Sequence, residues 1–305
     1  MNATAHMADP NAVPHAAAPP LVRGTSLWRD AWRRLRRNRM AVASGVLLAI
    51  IGVATLLAPV LPGLADPNLQ NLELGPTSPS WRHPFGTDLH GRDLLARVLD
   101  GGRVSILVGL VATIVSFLVG VTYGAVAGYF GGRTDSFMMR FVDVLYSLPY
   151  MFLVILLMVY FSRSLWMLFA ALGLVQWLTM ARIVRGQVLS LKMQEFVEAA
   201  RAVGAGSRHI IFKHLVPNAL GPIIVYATLT VPAVMLQEAF LSFLGLGVQP
   251  PKASWGTLVN DGATVMAFFP WMVLFPGMAL ALTLFCLNFL GDGLRDALDP
   301  HLRHE

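Results

Sequence analysis

Long apolar runs separated by polar segments dominate the chain. A helix rises about 1.5 Å per residue, so a run of about 20 residues crosses a hydrocarbon core of about 30 Å. Backbone amides in lipid must bond within their own segment, which predicts helices for such runs. The sequence therefore predicts an all-α polytopic membrane protein with six transmembrane helices, at roughly 40–61, 104–130, 138–161, 165–181, 217–245 and 268–290.

Lys and Arg residues indicate how these spans are oriented. With six spans, one side of the membrane holds residues 1–39, 131–140, 182–216 and 291–305. These four segments contain 17 of the 23 basic residues, and cytoplasmic segments carry such an excess. The basic run from Arg33 to Arg39 abuts the first span. The N and C termini are therefore both predicted to be cytoplasmic.

Composition agrees with a membrane protein. The chain is 55% hydrophobic and 13% charged, whereas a soluble domain carries about 25% charged residues. Its net charge of +6 is explained by the basic segments beside the spans, so nucleic acid is not an expected partner. The single cysteine, Cys286, excludes an intrachain disulfide, and the scattered histidines show no spacing typical of a metal site.

The same pattern predicts the organisation of the chain. Residues 1–39 form a cytoplasmic tail, largely disordered and ending in the basic segment next to the membrane. Residues 40–305 form the transmembrane domain. Its two long connections are an outer loop at 62–103 and a cytoplasmic loop at 182–216. The second loop is rich in helix-forming residues and is predicted to do more than connect two spans.

No catalytic site is evident. A phosphate-binding loop needs a glycine-rich turn ending in Gly-Lys-Ser/Thr, and none of the three lysines has that context. The His-Glu-x-x-His pattern of zinc proteases is absent as well. Energy for transport must then come from a partner or from an ion gradient. The chain is expected to bind no cofactor of its own.

The cytoplasmic loop predicts a helix-turn-helix outside the membrane. Residues 193–203 favour a helix, Gly204-Ala205-Gly206 favours its end, and Ser207 is suited to cap a second short helix. Apolar residues on both helices would dock into a groove on another protein. The alternative is that the pair packs on its own bundle or lies at the membrane interface. The apolar residues in question are Phe196, Ala200, Val203, Ile210, Ile211 and Leu215.

This loop also resembles a known element. Glu198-Ala199-Ala200, then Gly204, then Pro217 at the next span are similar to the EAA loop of ABC-importer permeases. In that family the loop docks into the nucleotide-binding subunit. The general pattern ends in Ile-x-Leu-Pro, whereas this chain has His214-Leu215-Val216-Pro217. The spacing agrees although those residues differ.

A second segment resembles the permeases of the dipeptide, oligopeptide and nickel group. It precedes the second span and comprises Gly86, Thr87, Asp88, Gly91, Arg92, Asp93 and Arg97. Residues 91–100 alone would suit an ordinary surface helix. Two further segments, 238–256 and 291–300, are similar to the same group and occur in the same order. The match is to the second of the paired permeases, the one with the shorter outer loop.

The resemblance implies a type I ABC-importer core in a bacterial inner membrane. Implied partners are a homologous second permease, two cytoplasmic ATPase subunits that hydrolyse ATP, an outer solute-binding protein and membrane lipid. The implied cargo is a peptide, with a nickel complex or another small solute as the alternative. A secondary transporter and an intramembrane hydrolase are the rival classes. The first would show internal repeats and the second paired catalytic groups at one depth, and neither is evident.

Four polar or helix-breaking residues within the spans are candidates for a gate. Asp143 is expected to pair with Arg140, one turn earlier, because a carboxylate in a membrane is costly. Pro149 is expected to kink the third span, for gating or for packing. Glu238 either faces the translocation path or pairs with an arginine of the outer loop.

A stripe of glycines is the last feature of the pattern. Gly120, Gly124, Gly128 and Gly132 recur every fourth residue in the second span and at its end. Such a stripe allows close approach of another helix. That helix belongs either to this chain or to the partner permease.

Overall fold

The computed structural model describes residues 27–61, 63–161 and 164–298, and this part of the chain is helical throughout its regular structure. The predicted all-α fold is confirmed. A 3₁₀ turn lies at Ala58–Val60 and a π-helical turn at Ile210–Leu215. The helices are α1 Leu27–Arg37, α2 Arg39–Leu57, α3 Leu94–Phe130, α4 Gly132–Ser147, α5 Tyr150–Tyr160, α6 Leu165–Leu191, α7 Glu195–Ala202, α8 Ser207–His209, α9 Val216–Phe243, α10 Trp255–Ala263 and α11 Trp271–Leu298.

Within the described residues, five helical stretches are long and apolar enough to cross a membrane. They are α2 with its 3₁₀ turn, α3, α6, the continuous stretch from Ser207 to Phe243, and α11. A sixth candidate is the pair α4 and α5, whose axes differ by 80°. The six predicted spans correspond to these six candidates, the third of them broken.

α3 and α6 are each ten residues longer than predicted. α3 begins at Leu94, not near residue 104, because Asp93 caps it with a 2.9 Å hydrogen bond from the Ala96 amide. The predicted outer loop therefore ends at residue 93, and most of the amphipathic segment at 91–100 is the first part of α3. α6 continues to Leu191, ten residues beyond the predicted end, so the cytoplasmic loop is shorter than 182–216.

The predicted tail is helical in its last part. α1 runs from Leu27 to Arg37 and packs against α11, where a β-carbon at Gly293 would lie 3.3 Å from Cδ1 of Leu35. Asn38 then caps α2, accepting a 3.1 Å hydrogen bond from the Ala41 amide. Five basic residues of the tail thus lie on a short helix before the first span: Arg29, Arg33, Arg34, Arg36 and Arg37. Residues 1–26, for which disorder was predicted, lie outside the described residues.

The centre of the molecule is the pairing of α3 with α6. A β-carbon at Gly120 would lie 2.6 Å from Cβ of Met180, and one at Gly128 would lie 3.0 Å from the Arg185 carbonyl oxygen. Gly124 is equally close to the backbone of Ala181. The first three glycines of the stripe therefore pack within the subunit. Gly132 is the first residue of α4, with φ +54°.

Burial separates central from peripheral helices. In the most apolar window of α6, 61% of residues are buried inside the protein, against 17% in the corresponding windows of α2 and α11. α6 is thus an interior helix, whereas α2 and α11 form the periphery and expose large apolar side chains such as Ile50 and Phe285. Cys286 is buried on α11 with its thiol free.

Candidate functional site

Helix α7, in the loop that carries the Glu198-Ala199-Ala200 motif, ends in a tight glycine turn. Gly204 has φ +81°, a left-handed conformation that favours glycine. The Ala205 amide donates to the Ala200 carbonyl at 3.0 Å, and the Gly204 amide donates to the Arg201 carbonyl at 2.9 Å. These two bonds form a Schellman motif, which satisfies carbonyls at the end of the helix. The helix break therefore lies where the Gly204-Ala205-Gly206 segment predicts it.

α7 is anchored to the bundle by part of its apolar face. Val197 is fully buried and Ala200 nearly so, in a cluster that includes Val184 and Val188 of α6. Ile210, Ile211 and Leu215 of the π turn are buried in the same cluster. The prediction that these three side chains and Ala200 project toward a partner is wrong. The stretch from Ser207 continues directly into α9, and its buried side chains share this cluster with α6 and α7.

A second face of this segment is open. Glu198 and Ala199 of the motif are exposed. Val203 is 86% exposed and Phe196 37%, and Phe212 of the π turn is 50% exposed. A β-carbon at Gly204 would meet no atom within 4 Å. The motif residues and several apolar side chains thus remain accessible at the end of a buried anchor.

Ser207 does not cap a helix, and Pro217 lies within a continuous helical stretch. Gly206 occupies the N-cap position of α8 and Ser207 follows it without a side-chain capping bond, so the predicted cap is wrong. Pro217 is exposed and lies in the first turn of α9, inside a helical stretch that begins at Ser207. Proline has no amide hydrogen and clashes with the preceding turn. The π turn before it, with the Val216 amide bonded to the Ile211 carbonyl, provides the extra residue that relieves this clash.

Thr87 holds together the loop before α3, which is the predicted outer loop. Its hydroxyl donates to the Gly75 carbonyl and accepts from the Thr77 amide, both at 2.7 Å. Trp271 of α11 donates its indole N–H to the Thr87 carbonyl at 3.2 Å. Gly86 and Gly91 flank this point with φ of +77° and +69°. The outer motif is thus a folded turn tied to the start of α11.

The charged residues of the outer motif serve α3. Asp88 accepts from the Arg92 guanidinium at 2.6 Å and lies 3.5 Å from Nε of Arg97. Asp93 caps α3 with one carboxylate oxygen and contacts Nδ1 of His83 at 2.8 Å with the other. Asp88, Asp93 and Arg97 are all buried. Ion pairs and a cap therefore fix the N-terminal end of this long helix.

The third span breaks between Ser147 and Tyr150. Pro149 occupies the N-cap position of α5, and the 80° bend lies there, where proline predicts a kink. Asp143 pairs with Arg182 of α6 at 2.7 Å, so the expected pairing with Arg140 is wrong. The bend brings the end of α4 against α6, and the guanidinium of Arg182 also stacks over the Tyr146 ring at 4.2 Å.

Glu238 is fully buried on α9. Its carboxylate accepts hydrogen bonds from Ser242 at 2.7 Å and from Ser105 at 3.3 Å. The Ser105 hydroxyl also accepts from the Trp255 amide at 3.0 Å. Neither pairing with an outer-loop arginine nor a place on an open path is observed among the described residues. Glu238 instead joins α3, α9 and the start of α10.

Two protein-family models match this chain. The model of the family described as binding-protein-dependent transport system inner membrane component matches residues 120–304. The chain belongs to this family. The model of the N-terminal transmembrane domain of oligopeptide transport permease C matches residues 26–76 of the permease.

Individual relatives agree along most of the permease. It is 52% identical to the oligopeptide transport system permease protein OppC of Haemophilus influenzae, over 91% of this chain and 89% of the relative. It is 48% identical to the dipeptide transport system permease protein DppC of Bacillus subtilis, over 91% and 87%. In fold it is similar to a chain of the inward-facing MetNI methionine ABC transporter, with a TM-score of 0.57 and 19% identity over 68% of this chain and 98% of that chain.

Sequence reasoning missed two contacts that tie the end of α6 to α4 and to α3 in the permease. Arg185 of α6 donates two hydrogen bonds to the buried carboxylate of Asp135 on α4. One runs from Nε to Oδ1 and the other, at 2.6 Å, from Nη2 to Oδ2. Lys192 donates to the Gly128 carbonyl at 2.8 Å. Both contacts join residues 50 or more positions apart. The only sequence signal for them was a charged residue at a span end with no partner on its own helix.

Proposed function

We propose that the chain is one of the two channel-forming permease subunits of an ATP-driven importer for peptides. The observation that carries the proposal is the 52% identity to an oligopeptide permease along nine-tenths of the chain. The separate match at residues 26–76 supports the same assignment, because it covers the first span and the segment before the outer motif. Together the two matches support an assignment to the second permease of the pair.

The assembly proposed contains four further subunits. They are a homologous but distinct permease, two cytoplasmic ATPases and an outer solute-binding protein. This chain binds no nucleotide, and the ATPases hydrolyse ATP for it. The family is one of inner membrane components, and the chain is placed there. The basic α1 segment supports cytoplasmic termini, with α7 on the same side.

We propose that α7 carries force from an ATPase to the bundle. Its open face, with Glu198, Ala199 and Val203, would contact the ATPase. Its buried face, through Val197 and Ala200, lies on the cluster where α6 ends and α9 begins. Packed interiors transmit displacement because they contain few voids. Movement of α7 would then shift α6 and α9, and the path would change from inward-facing to outward-facing.

A cavity beside the broken span supports a path through this region. It measures about 360 Å³ and is lined by Tyr146, Tyr150, Gln176 and Gln237, among others. Gln176 donates to Gln237 at 3.2 Å. Amide and phenol groups can exchange hydrogen bonds with a peptide backbone. The cavity lies where α4 turns into α5, so a change in the 80° bend would change its shape.

The complete assembly in proteoliposomes tests this function. Uptake of a labelled peptide should require ATP and every subunit, and the chain alone should neither hydrolyse ATP nor move peptide. Glu198→Lys should abolish uptake while the protein still inserts into the membrane. Glu195→Lys is the matched control, since both residues lie in the first turn of α7. Hydrolysis by the lone chain, or normal uptake by Glu198→Lys, would contradict the proposal.

A further inference from the structure

A cavity at the outer end of the molecule lies between the outer motif and α10. It measures about 470 Å³, within the range of about 300–1,000 Å³ that is usual for small-molecule sites. The outer motif, the loop after α9 and α10 all contribute walls. Its apolar surface comes from residues such as Leu94, Val248 and Met272, and its charged surface from the residues considered next.

Two of the three guanidinium nitrogens of Arg97, on this wall, lack a hydrogen-bond partner among the described residues. Its side chain is 5% exposed, yet neither Nε nor Nη1 has a partner within the described ranges. The Asp88 carboxylate lies 3.5 Å from Nε as an ion pair but makes no hydrogen bond to Arg97. It accepts instead from the Arg92 side chain at 2.6 Å and from the amides of His90 and Arg92. A buried polar group without a partner is costly, and such groups in native proteins call for an explanation.

The charges on the wall favour an anion. Arg92, Arg97 and Lys252 line the cavity, against the carboxylates of Asp88 and Asp261. Counting His90 as neutral, the wall carries one more positive than negative charge. A bound group with a single negative charge would balance it. A planar guanidinium presents parallel N–H donors that match the two oxygens of a carboxylate.

We propose that this cavity binds the carboxylate of a small organic solute, with Arg97 as its central donor. The mixed apolar and charged wall suits a solute with a short hydrocarbon or peptide body. Lys252, exposed at the rim, adds attraction as the solute enters. Asp261 opposes the anion and limits its affinity, so the site releases its ligand readily. The inference rests on the proposed import function, since it gives this end of the permease a solute to receive.

Binding to the purified transporter assembly, without the solute-binding protein, tests the site. The probes are N-acetyl-dialanine and its C-terminal amide, which differ in the carboxylate, and isothermal titration calorimetry gives Kd for each. The wild-type assembly should bind the acid at least about tenfold more tightly than the amide, because a charged hydrogen-bonded pair is lost in the amide. Equal binding of the two probes would overturn the proposal.

Three variants locate the preference. Arg97→Gln should remove it, and Arg97→Lys should keep part of it because the charge remains without the fork. Arg103→Gln, at an exposed arginine of the same helix, is the matched control and should bind like the wild type. Chromatography and circular dichroism should show intact assembly for each. An unchanged preference in Arg97→Gln would refute the role of Arg97.

Asp261→Asn provides a test that loss of folding cannot mimic. Removal of this exposed carboxylate should tighten binding of the acid by about two- to fivefold and leave the amide unchanged. If Arg97→Gln fails to assemble, this variant decides alone, and no tightening would overturn the proposal. If the wild-type assembly imports peptide with ATP but does not prefer the acid over the amide, only this inference is contradicted. Absence of that uptake in the wild-type assembly would sink the proposed function itself.

Discussion

Gly204 and Gly206 stand two positions apart in the coupling turn and differ in the backbone that each requires. Gly204 has φ +81°, whereas Gly206 has an ordinary extended conformation with φ −70° as the N-cap of α8. Neither position is crowded, since an added β-carbon meets nothing within 4 Å at either glycine. Any effect of substitution must therefore come from conformation or from a partner, and the two positions can be compared directly.

Gly204→Thr should strain the turn and Gly206→Thr should not. A β-branched residue in the left-handed region costs about 1–2 kcal/mol, which would unwind the Schellman turn and displace the end of α7. Threonine is acceptable at an N-cap. ATP-driven uptake in proteoliposomes should fall strongly for Gly204→Thr and stay near wild type for Gly206→Thr. Equal activity of the two variants would show that the conformation of this turn does not matter for coupling.

Arg185 and Arg182 lie one turn apart on α6 and should differ in their effect on stability. Arg185 bonds the carboxylate of Asp135, which is 12% exposed, so Arg185→Gln should cost about 1.5–3 kcal/mol. Arg182 and Asp143 are 40% and 62% exposed, so Arg182→Gln should cost less than about 1 kcal/mol. The thermal unfolding midpoints of the two variants in detergent check this ranking, and the opposite order would contradict it.

The partner of Asp143 shows where sequence reasoning stops at this scale. Spacing along one helix points to Arg140, because residues three apart are neighbours on a helix. The observed partner is Arg182, 39 positions away. Which helices lie together at this end of the bundle depends on packing that no local pattern contains. Gly204 was predictable, because a left-handed turn has a strong residue preference of its own.

Among whole elements, the contact between α3 and α6 determines which substitutions the bundle tolerates. The two backbones approach closely at Gly120, Gly124 and Gly128. By contrast, Gly186 on the exposed side of α6 has no neighbouring atom within 4 Å of an added β-carbon. The glycines at the contact permit close packing of the two helices, whereas Gly186 takes no part in it.

Gly124→Leu should prevent α3 and α6 from packing, whereas Gly186→Leu should be tolerated. The leucine side chain at 124 would overlap the backbone of Ala181, which cannot move as a side-chain tip can. Size-exclusion chromatography of the detergent-purified variants should show aggregation or loss for Gly124→Leu and a single peak for Gly186→Leu. A monodisperse Gly124→Leu protein with wild-type melting would refute the close contact.

The ends of elements were harder to predict than their existence. The apolar runs placed all six spans, and Pro149 marked the break in the third. The start of α3 was placed late because the segment after Asp93 contains charged residues, which local hydropathy reads as loop. One of those residues, Arg97, is buried beside Asp88, and the Asp93 cap starts the helix ahead of it. The π turn was also missed, since Pro217 reads as the start of a span and the structure continues a helix through it.

At the scale of the whole molecule, coupling to ATP hydrolysis requires that α7 contacts a nucleotide-hydrolysing subunit. The sequence supplied the motif by resemblance, and the fold leaves its Glu198, Ala199 and Val203 exposed on an anchored helix. The sequence did not distinguish the anchor from the contact surface. In the sequence, Ile210 and Val203 both resemble apolar contact residues. The structure distinguishes them, because Ile210 is 0% exposed and Val203 is 86% exposed.

Site-specific cross-linking of the assembled, transport-competent importer tests this claim most directly. In a Cys286→Ala background, which removes the chain's one native cysteine, Val203→Cys should cross-link to an ATPase subunit, and the buried Ile210→Cys should not. The cross-link at Val203 should also block ATP-driven uptake, and reduction should restore it. An active assembly in which Val203→Cys never reaches the ATPase, under any nucleotide condition, would contradict the account.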